Sequence, residues 1–173
     1  MFSKQSLHYS IITALLALLF IPFIVTDSQF FPFITGKAFT FRIGVEILFA
    51  LWVVLALRDR AFLPRFSWIL VAVTAFVSII GVADFFGVNP YKSFWSNYER
   101  MEGFVTLVHL FMYFLVASSV LNTEKLWRIF LNTSVAASVI MCFYGFLQLS
   151  GKLVINQGGV RLDGTMGNAI YLA

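Results

Sequence analysis

The sequence predicts an all-α protein, a polytopic bundle of transmembrane helices. Hydrophobic residues make up 60% of its 173 residues, against roughly 45–50% in a soluble domain. Charged residues make up 12%, against about 25%. The apolar residues form long continuous runs, which are typical of helices rather than of the alternating strands of a barrel. We therefore expect five complete helices and the start of a sixth, all within one membrane domain that covers residues 1–173.

Five apolar runs reach the roughly 20 residues that a membrane helix requires. The predicted helices cover about residues 7–25, 38–57, 66–83, 104–121 and 126–149, and a sixth starts at Asn168. Pro22 is expected to kink the first helix near its end. Thr26-Asp27-Ser28 offers no small-residue cleavage site, so we expect this helix to be retained rather than removed as a signal peptide. Because the sixth run is still apolar at Ala173, we expect the chain to be the N-terminal part of a longer protein.

Basic residues in the connections between helices predict how the chain is oriented in the membrane. Six lie in the N-terminus and two short connections, and five lie in three longer loops. The first set is Lys4, Arg58, Arg60, Arg65, Lys125 and Arg128, and the second is Lys37, Lys92, Arg100, Lys152 and Arg161. The higher density of basic residues marks cytoplasmic connections, so we expect a cytoplasmic N-terminus and outward-facing longer loops. No run of five or six basic residues is present, which argues against a nucleic-acid partner.

The outer loop from Asp84 to Gly103 predicts an amphipathic helix over about residues 91–102, after the turn signal Asn89-Pro90. Its aromatic residues recur at helical spacing on one face, and polar residues occupy the other. Such a helix lies in the interface, with its rings at the level of the lipid headgroups. We expect the aromatic residues to form an anchor, and Arg100 and Glu102 are candidates for the rim of a polar site.

Ionisable residues inside the predicted helices are candidates for function, because charges are costly at membrane depth. Arg42 and Glu46 lie four residues apart on one helix face, so we expect them to pair. They either form a buried ion pair that fixes helix packing, which we favour, or belong to the rim of an outward-facing site. We expect His109 to be a hydrogen-bonded packing residue and Cys142 a small apolar one. No metal-ligand spacing or nucleotide-binding motif is present, so we expect no cofactor and no metal.

The last sixteen residues contain the other candidate site. The glycine pair at 158–159 permits an irregular backbone, and Asn168 is placed to cap the sixth helix after a turn that contains Gly164. Amides at a helix start, together with the guanidinium of Arg161, would suit a phosphate or pyrophosphate. Asp163 would orient Arg161 or be solvated. On the residues alone, a capped turn and an anion-binding site are equally open interpretations.

Three stretches resemble the O-antigen ligase and polymerase superfamily. Arg161-Leu-Asp-Gly-Thr-Met-Gly-Asn168, followed by Tyr171-Leu-Ala173, is similar to the opening of its signature region, an arginine, then Gly-Thr-x-x-Asn-Pro, then a helix that begins with small residues. Asn97-Tyr-Glu-Arg-Met-Glu-Gly103 and Phe41-Arg-x-x-x-Glu46 also resemble members of that group. Ala169 departs from the pattern, since the family commonly has proline there and proline suits the first position of a helix.

This resemblance implies an enzyme of the bacterial inner membrane that acts in polysaccharide biosynthesis. It would transfer a glycan from an undecaprenyl-pyrophosphate carrier to lipid A core, a polysaccharide or a protein, at the periplasmic face. Arg161 matches one of the arginines that hold the pyrophosphate, and Gly164 and Asn168 belong to the same motif. The catalytic histidine of the family lies in a later outer loop. We therefore expect no catalytic residue and no activity in this chain alone, and neither His8 nor His109 takes that role.

Two other functions fit a membrane protein of this composition. The main alternative is a transporter or a flippase of the carrier lipid, without transferase activity. Transporters usually have inverted repeats and helices broken at the midplane, whereas the glycines and prolines here concentrate near helix ends and no internal repeat is found. The other is a lipid-dependent glycosyltransferase with acidic residues in its first outer loop, but residues 26–37 contain one carboxylate, Asp27.

Overall fold

Helices make up the regular structure of the chain. The computed structural model describes residues 3–97, 102–156 and 161–172, and over those residues it contains seven α-helices and no strand. They are α1 (Lys4–Leu18), α2 (Thr35–Arg58), α3 (Trp68–Phe85), α4 (Pro90–Trp95), α5 (Phe104–Val120), α6 (Glu124–Leu149) and α7 (Ala169–Leu172). Short 3₁₀ turns at Ile21–Phe23 and Arg60–Phe62 follow α1 and α2. The all-α class predicted from the sequence is confirmed.

Side-chain hydrogen bonds define where several of the described helices begin. In each case a side-chain oxygen at the N-cap accepts from a backbone N–H of the first turn. Ser3 caps α1, Ser67 caps α3, Asn89 caps α4 and Thr123 caps α6. Beyond the end of α6, Gly151 has a φ of +71°, the left-handed conformation that glycine commonly adopts after a helix. These local signals place most helix ends within a few residues of the predicted positions.

The core lies where α1, α2 and α5 meet. Leu7, Ile11 and Leu15 lie four residues apart on one face of α1, and each is at most 5% exposed. They belong to one buried apolar cluster with residues of α2 and α5, among them Leu48, Trp52, Leu55, Val116 and Val120. α3 packs against α5, and α4 contacts both of these helices. The chemistry-bearing residues of α2 and α5 are therefore held by a packed three-helix core.

Within the described residues, three helices are long and apolar enough to cross a membrane, namely α2, α3 and α6. The prediction of five complete membrane helices is thus confirmed only in part. α5 is apolar but has 17 residues, and α1 has 15. Helices of these lengths span about 26 Å and about 22 Å at 1.5 Å per residue, less than the roughly 30 Å of bilayer hydrocarbon. The predicted first helix does not continue to Val25, because Pro22 has no N–H to extend it and a 3₁₀ turn forms instead.

The predicted interfacial helix over 91–102 is shorter than expected. α4 ends at Trp95, and Ser96 follows with a φ of +60°. Gly103 packs directly against the backbone of Phe94, where a Cβ atom would collide with the carbonyl group. This close approach requires the chain to fold back after α4, which a helix continuing to Glu102 could not do. Residues 98–101, including Arg100, lie outside the described residues.

The connections gather at two ends of the helices. At one end, Lys4 forms an ion pair with Asp59, so the N-terminus lies beside the connection from α2 to α3. At the other end, Thr165 Oγ1 donates to the carbonyl oxygen of Pro22 at 2.7 Å. The residues that precede α7 therefore lie beside the connection from α1 to α2. This second end carries the candidate site.

Candidate functional site

A turn at residues 161–168, here called the terminal turn, is organised around a buried carboxylate. Asp163 is 0% exposed. Its Oδ1 accepts from Nε2 of Gln148 at 2.7 Å, and its Oδ2 accepts from the backbone N–H of Asn156 at 2.9 Å. A buried carboxylate is tolerated only with such donors. The sequence-based alternative of a solvated Asp163 is wrong, since this residue holds the terminal turn against the end of α6.

Gln148 makes the matching contacts from α6. It is 3% exposed, and besides Asp163 its Nε2 donates to the carbonyl oxygen of Val154 at 2.8 Å. Its Oε1 accepts from the backbone N–H of Gly164 at 2.8 Å. Both ends of the amide group are therefore in use. Sequence reasoning missed Gln148, although a single glutamine at the end of an apolar run is a signal that a buried polar partner is present.

Lys37 attaches the terminal turn to α2. Its Nζ donates to the carbonyl oxygen of Thr165 at 2.6 Å and to that of Phe33 at 2.9 Å. The lysine lies in the first turn of α2 and is half-buried. In the sequence, Lys37 was informative only as a charge in an outer loop, because its partner is 128 residues away.

Two predicted site residues, Gly164 and Asn168, determine the shape of the terminal turn. Gly164 has a φ of +56° and Gly167 a φ of +66°, and left-handed backbone of this kind favours glycine. A Cβ on Gly167 would also overlap the ring of Phe33. Asn168 Oδ1 accepts from the N–H of Ile170 at 2.9 Å, the capping contact that the sequence predicted. Because the amides of Gly164 and Ile170 are already engaged, the turn supplies shape there rather than free donors.

Arg161 lies at the start of this fixed turn with its side chain exposed. Across the described part of the chain, no hydrogen bond or ion pair engages its guanidinium group. Its neighbour Leu162 lines an apolar groove. Two adjacent residues thus present a cation to the surface and a hydrocarbon side chain to a cavity.

The apolar groove has a volume of about 670 Å³ and runs between the end of α1 and the second half of α6. Its walls are mainly apolar, with two serines among them. The main lining residues are Leu18, Pro22, Phe23, Ser134, Ser138, Met141, Cys142, Phe146, Leu162 and Tyr171. Cys142, which we expected to be a small apolar packing residue, is exposed and lies on the groove wall. Met166 and Leu172 bring the terminal turn and α7 into the same groove.

A second polar cluster lies between α2 and α5. Nε2 of His109 and Oε1 of Glu46 are 3.1 Å apart, and Nδ1 of His109 is 2.7 Å from the carbonyl oxygen of Val105. His109 is 7% exposed. The prediction that it is a hydrogen-bonded packing residue describes its contacts, but it did not identify Glu46 as the partner. The pair joins two helices that pack in the core.

Arg42 does not form the predicted ion pair with Glu46. Its Nε donates to the carbonyl oxygen of Ala38 at 3.2 Å, and its guanidinium lies 4.9 Å from the centroid of the Phe39 ring. One terminal nitrogen, Nη2, is buried without a hydrogen-bond partner among the described residues. Glu102 and Glu46 are close enough to attract its charge. The predicted ion pair does not form because the carboxyl group of Glu46 contacts His109 of the neighbouring helix instead.

The predicted site residues therefore fall into two groups. Arg161, Gly164 and Asn168 share the terminal turn, whereas Arg42 and Glu46 belong to the α2–α5 cluster. Searched over the described residues, no group of three or more His, Cys, Asp or Glu side chains is placed to hold a metal ion.

Comparison with known proteins gives no relative for this chain. No protein-family model matches it, and neither the curated proteins nor the solved structures contain a match.

Proposed function

We propose that the chain belongs to a membrane glycosyltransferase of the O-antigen ligase and polymerase type. Its substrate would be a glycan linked to undecaprenyl pyrophosphate, which it passes to lipid A core, a polysaccharide or a protein. The observation that carries this proposal is the position of Arg161, whose guanidinium has no partner among the described residues, next to Leu162, a residue of the apolar groove. A carrier lipid combines an anionic group with a long hydrocarbon chain, so it needs both features next to each other.

The headgroup is assigned to Arg161. A guanidinium has a planar set of donors that bind phosphate oxygens in pairs. Asp163, Gln148 and Lys37 hold the turn from three sides, so Arg161 extends from a fixed backbone. A cation on a fixed backbone loses less conformational entropy on binding than one on a mobile loop. Gly164 and Asn168 shape this backbone.

The hydrocarbon chain of the carrier is assigned to the apolar groove. Burial of apolar surface contributes about 25 cal/mol per Å², and Met141, Phe146 and Tyr171 offer such surface along the groove. The groove lies on α6, one of the helices able to cross a membrane. A lipid tail can therefore enter from the bilayer while its headgroup stays at the helix end.

The proposal also includes a location. The enzyme would lie in the bacterial inner membrane with the bilayer as its direct partner, a cytoplasmic N-terminus and the terminal turn at the periplasmic face. The distribution of basic residues supports this orientation. No residue of this chain is assigned to catalysis, and Arg42, Glu46, Arg100 and Glu102 stay candidates for the site rim.

Binding of a polyprenyl pyrophosphate to the 173-residue chain in lipid nanodiscs tests the headgroup assignment. We expect Arg161→Ala to weaken binding at least about tenfold, since a charge-assisted contact to phosphate contributes roughly 1.5–3 kcal/mol. Lys152→Ala is the matched control, because Lys152 is also an exposed cation at this end. Equal binding by wild type and Arg161→Ala would contradict the assignment.

A second pair of variants tests the groove. Ser138 lines the groove and Val139 lies on an exposed face of the same helix outside it. Ser138→Phe should weaken binding of the polyprenyl pyrophosphate, whereas Val139→Phe should leave it unchanged. Inorganic pyrophosphate, which has no tail, should bind equally to both. If Ser138→Phe bound the polyprenyl pyrophosphate as well as the wild type does, the lipid chain could not lie in the groove.

A further inference from the structure

The contacts of His109 determine where its hydrogens lie. A carbonyl oxygen can only accept a hydrogen bond, and Nδ1 is 2.7 Å from the carbonyl oxygen of Val105. Nδ1 therefore carries a hydrogen and donates it. Nε2 then faces Oε1 of Glu46 at 3.1 Å, and two groups without a hydrogen between them would repel at that distance.

Two arrangements satisfy the contact between the imidazole and the carboxyl group. Either a doubly protonated His109 donates to an ionised Glu46, or a protonated Glu46 donates to a neutral His109. Both contain one hydrogen between Nε2 and Oε1, and both leave the pair with no net charge. Neutrality suits a pair in apolar helices, because a net charge there is costly.

We propose that Glu46 and His109 form a proton-binding site that joins α2 to α5. The bound ligand is a single proton, and the hydrogen bond between Glu46 and His109 depends on it. The proton can exchange with the surroundings through Glu46, since the side chain of Glu46 is 62% exposed while that of His109 is 9% exposed. This proposal does not rest on the function proposed above, because it follows from the contacts of this pair alone.

The surroundings of the pair contain few other charges. On α2, Arg42 lies one turn from Glu46, and Glu102 precedes α5; both carboxylates attract the Arg42 charge. From the helices packed against α5, Asp84 of α3 and Tyr91 of α4 lie around Phe104. In α1, Lys4 and His8 lie at the opposite end, against Asp59 and Phe62.

The hydrogen bond between Glu46 and His109 responds differently to a rise and to a fall in pH. Loss of the proton leaves an ionised Glu46 facing the lone pair of Nε2, so the contact breaks as the pH rises. Addition of a second proton leaves Nε2–H donating to a neutral carboxyl oxygen, so the contact survives as the pH falls. This hydrogen bond between α2 and α5 is therefore lost as the pH rises and kept as the pH falls.

Nitrogen NMR of the histidine rings tests the site directly in the 173-residue chain. The sequence contains two histidines, so ¹⁵N-histidine labelling gives two rings, and a His8→Asn variant assigns them. We expect Nδ1 of His109 to be protonated throughout, and the hydrogen between its Nε2 and Glu46 to be lost as the pH rises. A His109 ring whose Nδ1 lacks a hydrogen, or whose Nε2 signal does not change as the pH rises, would overturn the proposal.

Glu46→Gln supplies the second measurement. A carboxamide has the same shape and donates to a neutral Nε2 without a titratable proton, so this variant should keep the helix contact at every pH. In detergent, the thermal midpoint of the wild type should fall on the alkaline side, and that of Glu46→Gln should not. Glu124→Gln is the control, because Glu124 forms an exposed pair with Arg128 and should keep the wild-type profile. An alkaline fall of equal size in Glu46→Gln would refute the proton link.

Discussion

The two polar clusters of this chain differ in how completely their hydrogen bonds are made. In the terminal turn, Gln148 is bonded through both ends of its amide and Asp163 through both carboxylate oxygens. Between α2 and α5, Glu46 is largely exposed and a buried nitrogen of Arg42 lacks a partner among the described residues. In the first cluster, the polar side chains form hydrogen bonds that hold the backbone of the turn in place. In the second cluster, some polar groups can still form further hydrogen bonds.

The two clusters are therefore expected to contribute to function in different ways. A fully bonded buried network rigidifies the structure around it, which is what a neighbouring cation such as Arg161 needs. A network with unused capacity costs stability, and polar groups inside membrane helices generally mark a functional site. The terminal turn thus holds Arg161, the proposed binding residue, on a fixed backbone, and the α2–α5 cluster is the one proposed to change state.

Substitution by methionine at the two clusters should give opposite results. Gln148→Met leaves three partner groups unsatisfied, so we expect a loss of about 3 kcal/mol. It should appear as a roughly 100-fold faster hydrogen exchange of amides near Asp163. Arg42→Met removes a buried charge with an unpartnered nitrogen, so stability in detergent should stay constant or rise by about 1 kcal/mol. If Arg42→Met destabilised the chain as much as Gln148→Met, the contrast between the clusters would not hold.

Alanine substitutions at Gly167 and Gly151 test whether the terminal turn is rigid. Gly167 and Gly151 both have positive φ, at +66° and +71°. A Cβ would collide with Phe33 at Gly167 but meets open space at Gly151. We expect Gly167→Ala to cost about 2 kcal/mol or more and Gly151→Ala about 1 kcal/mol, the backbone cost alone. Thermal unfolding in detergent measures both, and equal losses would show that the turn can move away from Phe33.

The smallest expected effect concerns the ion pair between Lys4 and Asp59 at the other end of the molecule. Hydrogen bonds from Lys4 and from the Ala61 amide lower the pKa of Asp59 below its usual value. The stabilisation is therefore present above the pKa of the unfolded chain and is lost as the pH falls through the lowered pKa. The protection of amides near Lys4, measured relative to their intrinsic exchange rates at each pH, should fall on acidification, and Asp59→Asn should remove that loss of protection. A pH dependence that persists in Asp59→Asn would assign it to another group.

Prediction from sequence succeeded where the signal is local. A run of apolar residues located α6, predicted at 126–149 and observed at Glu124–Leu149. The cap at Asn168 was also visible, because it bonds two residues away. The first helix was predicted too long, since hydropathy outweighed the missing N–H of Pro22. The helix after Asn89 was predicted too long as well, since its end depends on the packing of Gly103 against Phe94.

The sequence by itself determined an all-helical chain with helices able to cross a membrane, and a turn that joins Arg161, Gly164 and Asn168. Apolar composition and short-range hydrogen bonds are enough for these features. Only the tertiary structure decided the partners of the polar residues. Lys37 meets Thr165 across 128 residues, and Glu46 meets His109 across 63. No periodicity in the sequence encodes which helices pack together, and that packing alone brings such distant groups within hydrogen-bonding distance.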